Sequence, residues 1–169
     1  ATGPILFIAS ILKFKTYIQE QNCFAGLTNR LLGKWVNRVF VAHEKMDKFF
    51  PIDKVMNLGN PVRNKLRIKI DIENINKSRS FFGLSAERFT ILVIGGSLGA
   101  SPINRGIQKN LHRLIENDCQ FIWQTGNMEY DLYSNLQSKY CSVQKFIDRM
   151  DLAYAASDIV VSRAGAIAI

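Results

Sequence analysis

Short runs of apolar residues closed by turn residues alternate along this chain with stretches whose apolar positions recur every three or four residues. That alternation predicts βα units and a parallel sheet. "ILFIASIL" (5–12) predicts a helix entered through Pro4, whose fixed φ suits a first turn, either buried or facing a membrane. "KTYI" then predicts a strand, "AGLTNRLLGKWV" a helix, "RVFVA" a strand, "EKMDKFF" a helix and "KVMNL" a strand. Further on, "RFTILVI" is the best strand in the chain, and Ile103, Ile107, Leu111 and Leu114 fall on one face of the helix after it. "CQFIWQ", "CSVQKF" and "DIVVS" read as strands, with helices over "YDLYSNLQSKY" and "MDLAYAAS" between them.

"GNPVR" (59–63) interrupts this rhythm. Pro61 fixes its own φ and biases Asn60 towards an extended conformation, which makes a rigid connector. The expected organisation is α/β with two lobes. Residues 1–58 form the last part of an N-terminal domain, 59–63 the connector, and 64–169 the first part of a second domain. The chain reads as an excised piece of a longer protein, one that alone would lack activity.

Composition narrows the class. With 47% apolar and 21% charged residues, the chain reads as an ordinary soluble globular protein. Its apolar runs are well short of the roughly 20 residues that span a bilayer, and no secretory leader is read at its start. Cys23, Cys119 and Cys141 are odd in number and have no metal-ligand spacing, which argues against a disulfide framework or zinc site and for a reducing cytoplasm. The net charge of +8 is uneven: residues 1–70 hold 12 Lys/Arg against 4 Asp/Glu, while residues 71–169 hold 10 of each. An anionic partner is therefore expected on the first part.

Candidate chemistry centres on "IGGSLGAS" (94–101), a glycine loop between a strand and a helix. Glycines let a backbone approach a ligand, and the helix behind offers unpaired N–H groups to an anion. No Lys-Ser/Thr pair closes the loop as in a P-loop, and Ser97 and Ala100 spoil the dinucleotide fingerprint. Alone it fits a ligand-free βα turn equally well. "SRAGA" (162–166) follows another strand, however, and both loops should lie at the carboxyl edge of one sheet, where doubly wound folds bind ligands. With "KFIDRM" and Arg63 nearby, that edge suits a nucleotide diphosphate.

"QEQNCFAGLTNRLL", "GNPVR", "GGSLGA" and "FIDRMDLAYAASDIVVSRAGA", in that order, resemble the MurG family of bacterial glycosyltransferases. The resemblance implies a GT-B fold of two Rossmann-like lobes, the first incomplete here and the second truncated. It implies transfer of N-acetylglucosamine from UDP-N-acetylglucosamine to lipid I, forming lipid II for peptidoglycan, with inversion and no cofactor. It also implies peripheral attachment to an anionic membrane at the cytoplasmic face, and no nucleic-acid partner. Carried over by position, Ser97 and the neighbouring amides contact the donor diphosphate, and Arg63 lies beside the nucleotide. Ile147 reads the uracil edge through its backbone, with Phe146 near the ring. Ala166, Ile167, Ala168 and Ile169 line the ribose and sugar. Asn22 sits near the transferred sugar with Glu20 beside it, and the catalytic base is unassigned.

Departures from the family pattern are Gln19 where histidine is commoner, Leu98 for a frequent glutamine, and Ser101-Pro102 at the helix start. Plainer readings stand beside several of these residues. Glu20 would cap a backbone group, Phe146 would be core, and His43 and His112 would be surface residues. Asp71 and Glu73 would begin a solvated helix rather than bind metal. Three other functions fit less of the sequence. These are a nicotinamide or flavin oxidoreductase, a non-catalytic polyanion-binding module, and another UDP-sugar enzyme such as an epimerase.

Overall fold

The computed structural model describes residues 2–62 and 71–165. They form two compact units, one built from residues up to Val62 and the other from those between it and Ala164.

The first unit holds a parallel sheet of β1 (Tyr17–Glu20), β2 (Arg38–Val41) and β3 (Val55–Asn57), in that order. Alternation along β1 and β2 sends Ile18, Val39 and Val41 to one face. There they pack with Leu32, Val36, Met46 and Phe50. The opposite face carries Tyr17 stacked on Phe40, with ring centroids 5.8 Å apart. Helix α1 (Gly3–Ile11) has Pro4 in its first turn, as expected, but none of its residues is buried. Leu6 packs partly buried against the core, while Ile5, Ile8 and Ile11 stand exposed. The buried alternative for "ILFIASIL" is therefore corrected.

Two helices here are shorter than their patterns predict. Helix α2 spans only Leu27–Leu32 and stops at Gly33, where an added Cβ would lie 2.5 Å from the Phe50 ring. "EKMDKFF" contracts to a 3₁₀ turn, Met46–Lys48. Lys45 adopts a left-handed φ of 58° before it, and Pro51 disfavours helix at Phe50.

The second unit has strand order β6-β5-β4-β7, all parallel, from β4 (Phe89–Ile94), β5 (Cys119–Gln124), β6 (Cys141–Gln144) and β7 (Ile159–Ser162). Both faces are covered, as continuous apolar strands require. Val93, Phe121 and Trp123 meet α4 (Ser101–Glu116) through Ile103, Ile107, Leu111 and Leu114, the four residues placed on one helical face by sequence. Leu92 and Ile122 point the other way and pack with Phe82, Ile147 and Ala153, beside α3 (Ile72–Phe81) and α6 (Met150–Ala156). "YDLYSNLQSKY" forms one helical turn, α5 (Tyr130–Tyr133), and a 3₁₀ turn. Gln137 then leaves helical geometry, and its side-chain oxygen accepts the Val143 N–H at 2.6 Å.

One polar cluster stitches this unit together, and another begins α3. Arg79, nearly buried, donates to Ala156 O, Ala86 O and Asp158 at 3.0, 2.5 and 2.8 Å. Asp71 caps α3 by accepting the Asn74 N–H at 2.9 Å, and Glu73 pairs with Lys77 one turn on. Their role as a solvated helix start is borne out. His112 is exposed and pairs with Glu116, while His43 is half-buried beside the end of β2.

Candidate active site

Strands β4 and β7 are neighbours in register, Ile94 opposite Ser162, so the glycine loop and the "SRAGA" loop leave the same edge of one sheet. The glycine loop is shaped by backbone. Gly96 and Gly99 take φ values of 88° and 86°, which favour glycine. A Cβ on Gly99 would lie 2.1 Å from the Thr125 carbonyl oxygen, and one on Gly126 would lie 2.3 Å from the Gly99 nitrogen. The loops after β4 and β5 thus touch main chain to main chain, and the Asn127 N–H reaches Ser97 O at 3.4 Å.

Ser97 and Leu98 stand exposed at the tip, and among the described residues their amides donate no hydrogen bond. Helix α4 begins at Ser101 with no side-chain cap and no acidic residue in its first turn. Its N-terminal N–H groups and dipole are therefore oriented for negative charge. Gly99, Ala100, Ser101, Pro102 and Ile103 line a depression of about 380 Å³ with Arg163 from the "SRAGA" loop. Arg163 is a cation at this edge that position-by-position comparison passed over. Its place beside the glycine loop depends on β7 pairing with β4, a contact distant in sequence.

Behind the loop lies a polar network with no signature in the sequence. Asn104 is fully buried. Its Nδ2 donates to Thr125 O at 2.9 Å and to Glu129 Oε2 at 2.7 Å, and its Oδ1 accepts from Trp123 Nε1 at 3.0 Å. The Ser101 hydroxyl donates to the other Glu129 oxygen. Those two donors, Ser101 first, hold the Glu129 carboxyl below its ordinary range.

Ile147 is buried after β6, and its N–H donates to Gln124 Oε1 at 2.9 Å. Phe146 is half exposed rather than core, which corrects the plainer reading of that residue. Both line a depression of about 270 Å³ with Phe81, Phe82, Gln144, Asp148 and Arg149. Arg149 is committed to Asp151, with contacts of 2.6–3.1 Å.

In the first unit, Glu20 ends β1 almost fully buried. Oε1 accepts from the Asn22 N–H and Nδ2, both at 3.1 Å, while Oε2 accepts from the Gly26 N–H at 3.0 Å and Asn29 Nδ2 at 2.9 Å. Burial pushes this carboxyl up, but the hydrogen bonds from Asn29, Asn22 and Gly26 outweigh it and hold the pKa down. Glu20 thus shapes the 21–26 loop and presents Asn22 at its exposed side. Arg63 and Ala166, Ile167, Ala168 and Ile169 lie outside the described residues.

Residues 90–169 match the model of the C-terminal domain of glycosyltransferase family 28. That half of the chain is thus similar to a glycosyltransferase domain, and its parallel sheet with helices on both faces is a Rossmann-like α/β lobe. A UDP-N-acetylglucosamine–N-acetylmuramyl-(pentapeptide) pyrophosphoryl-undecaprenol N-acetylglucosamine transferase of Parabacteroides distasonis is 48% identical, over 98% of this chain and 46% of its own length. The enzyme of that name from Flavobacterium psychrophilum is 47% identical, over 98% of this chain and 45% of its own. The crystal structure of Acinetobacter baumannii MurG superposes with a TM-score of 0.65 at 26% identity, covering 99% of this chain and 45% of that one. Over nearly its whole length the chain is similar to MurG enzymes, as its motifs implied, and it spans about half the length of the curated relatives it matches.

Proposed function

We propose that this chain carries the donor side of a transferase that moves N-acetylglucosamine from UDP-N-acetylglucosamine to lipid I, giving lipid II. The observation that carries this reading is the carboxyl edge of the second sheet, where unpaired loop amides and an uncapped sixteen-residue helix face outward together. The acceptor hydroxyl attacks the anomeric carbon from the face opposite the diphosphate. A new C–O bond forms with inversion, the bond to the β-phosphate breaks, and UDP leaves with the electron pair while the hydroxyl proton passes to a base. Negative charge grows on the β-phosphate, so fixed N–H donors there stabilise the transition state more than the ground state.

In this proposal Ser97 and the amides around it hold the diphosphate, with Arg63 beside the nucleotide. The Ile147 N–H is already engaged by Gln124, which leaves the Ile147 carbonyl to accept from uracil. Asn22, presented by Glu20, addresses the transferred sugar, and Ala166–Ile169 the ribose and sugar. Residues 1–58 belong to an acceptor-side domain, 59–63 to a connector and 64–169 to the donor domain.

A peripheral place on an anionic cytoplasmic membrane surface is supported by α1 and the segment after it. Ile5, Ile8, Leu12 and Phe14 are exposed there beside Lys13 and Lys15. No described helix is long and apolar enough to cross a membrane. Incubating the full-length protein that contains this chain with lipid I and labelled UDP-N-acetylglucosamine tests the reaction. Label should enter the lipid fraction as a disaccharide; equal transfer from the GDP-sugar would defeat the assignment.

A further inference from the structure

Gln124 closes β5, the strand between β4 and β6, with Ile94 opposite it on one side and Gln144 on the other. Its side chain is buried and hydrogen-bonds in opposite senses to two loops. Nε2 donates to the Gly96 carbonyl at 2.9 Å, and Oε1 accepts the Ile147 N–H at 2.9 Å. Among the described residues no hydrogen bond joins those loops directly. The amide is the polar link between the loop after β4 and the loop after β6.

We infer that Gln124 is a positioning residue that sets the spacing between the diphosphate-binding and base-binding loops. This rests on the donor site proposed above. The chemistry of the position is narrow, because one partner only accepts and the other only donates. A primary amide of this length satisfies both. A carboxylate would keep the Ile147 bond but turn a lone pair on the Gly96 carbonyl, and a thioether would make neither bond. A ligand that occupies both loops at once gains from their fixed separation, since less ordering is left to binding. A ligand that occupies one loop does not.

UDP spans both loops in this arrangement, and uridine only the base side, so their affinity ratio reads the spacing. In the full chain, Gln124→Glu should weaken UDP by about tenfold while leaving uridine within about twofold, both by calorimetry. Gln124→Met, uncharged and of similar length, releases both loops and should lower the UDP-to-uridine ratio as well. It serves should the buried carboxylate prevent folding, which thermal melting would reveal. An unchanged ratio in the folded variants, whether neither ligand or both weaken equally, would overturn the inference. Wild-type protein that binds ADP as tightly as UDP would instead defeat the donor-site reading itself.

Discussion

Both units hold a loop at the carboxyl end of a parallel strand, and they do it with opposite chemistry. In the first unit one buried carboxylate, Glu20, gathers four N–H donors from Asn22, Gly26 and Asn29. In the second, the neutral amide of Gln124 holds the glycine loop at Gly96, and Asn104 holds the Thr125 carbonyl of the loop that meets it at Gly99 and Gly126. A buried charge organises donors strongly but makes its loop titratable. Neutral amides hold position without cancelling the positive potential that a diphosphate needs. The Glu129 carboxylate is tied behind the start of α4 by Ser101 and Asn104.

The sharpest way to break the second arrangement is Gly99→Ala. Its Cβ would meet the Thr125 carbonyl at 2.1 Å with φ at 86°, so backbone must move. The expected cost exceeds about 3 kcal/mol, with loss of UDP binding. Gly96→Ala shares the left-handed φ but meets open space, and should cost about 1–2 kcal/mol. Denaturant unfolding of the two variants compares them directly. Equal costs would mean that the interlocked loops add nothing beyond backbone strain.

Glu20→Gln probes the charged arrangement. A glutamine presents an NH₂ where Asn22 or Asn29 and Gly26 donate, so the first unit should lose about 2–3 kcal/mol. Glu20 has a folded pKa below its ordinary 4.5, so its contribution is complete above that value and is lost as pH falls through the folded value. The gap between wild type and variant should therefore close on acidification, as seen in melting temperatures measured across pH. A constant gap would show that shape, not charge, holds the loop.

Surface charge gives a smaller effect. Reversing Lys13 and Lys15 should weaken flotation with anionic vesicles by about 1 kcal/mol per residue and leave neutral vesicles unaffected. Equal binding to both vesicle types would remove the electrostatic role of this segment. The mildest contrast is between thiols. Cys23 is exposed in the first unit's loop, whereas burial in β6 pushes Cys141 up to about 12. Alkylation at neutral pH, followed by peptide mapping, should label Cys23 and spare Cys141 until the chain unfolds.

What the sequence determined by itself is the set of strands, the amphipathic face of α4 and the glycine loop. Strand periodicity and glycine at left-handed turns are local properties, set by a residue and its near neighbours. The family motifs are local in the same sense. Helix lengths were less legible, because the left-handed Lys45 and the Gln137 side-chain contact limit helices in ways that periodicity does not register. Only the tertiary structure decided that α1 lies exposed, since an apolar helix announces burial without saying whether a partner surface covers it. It also decided the partners of Glu20, Asn104, Gln124 and Arg163. Gln124 lies 28 residues from Gly96 and 23 from Ile147, and their meeting depends on β5 lying between β4 and β6. A buried polar side chain is read as functional or structural only when its hydrogen-bond partners are known, and strand order chooses those partners.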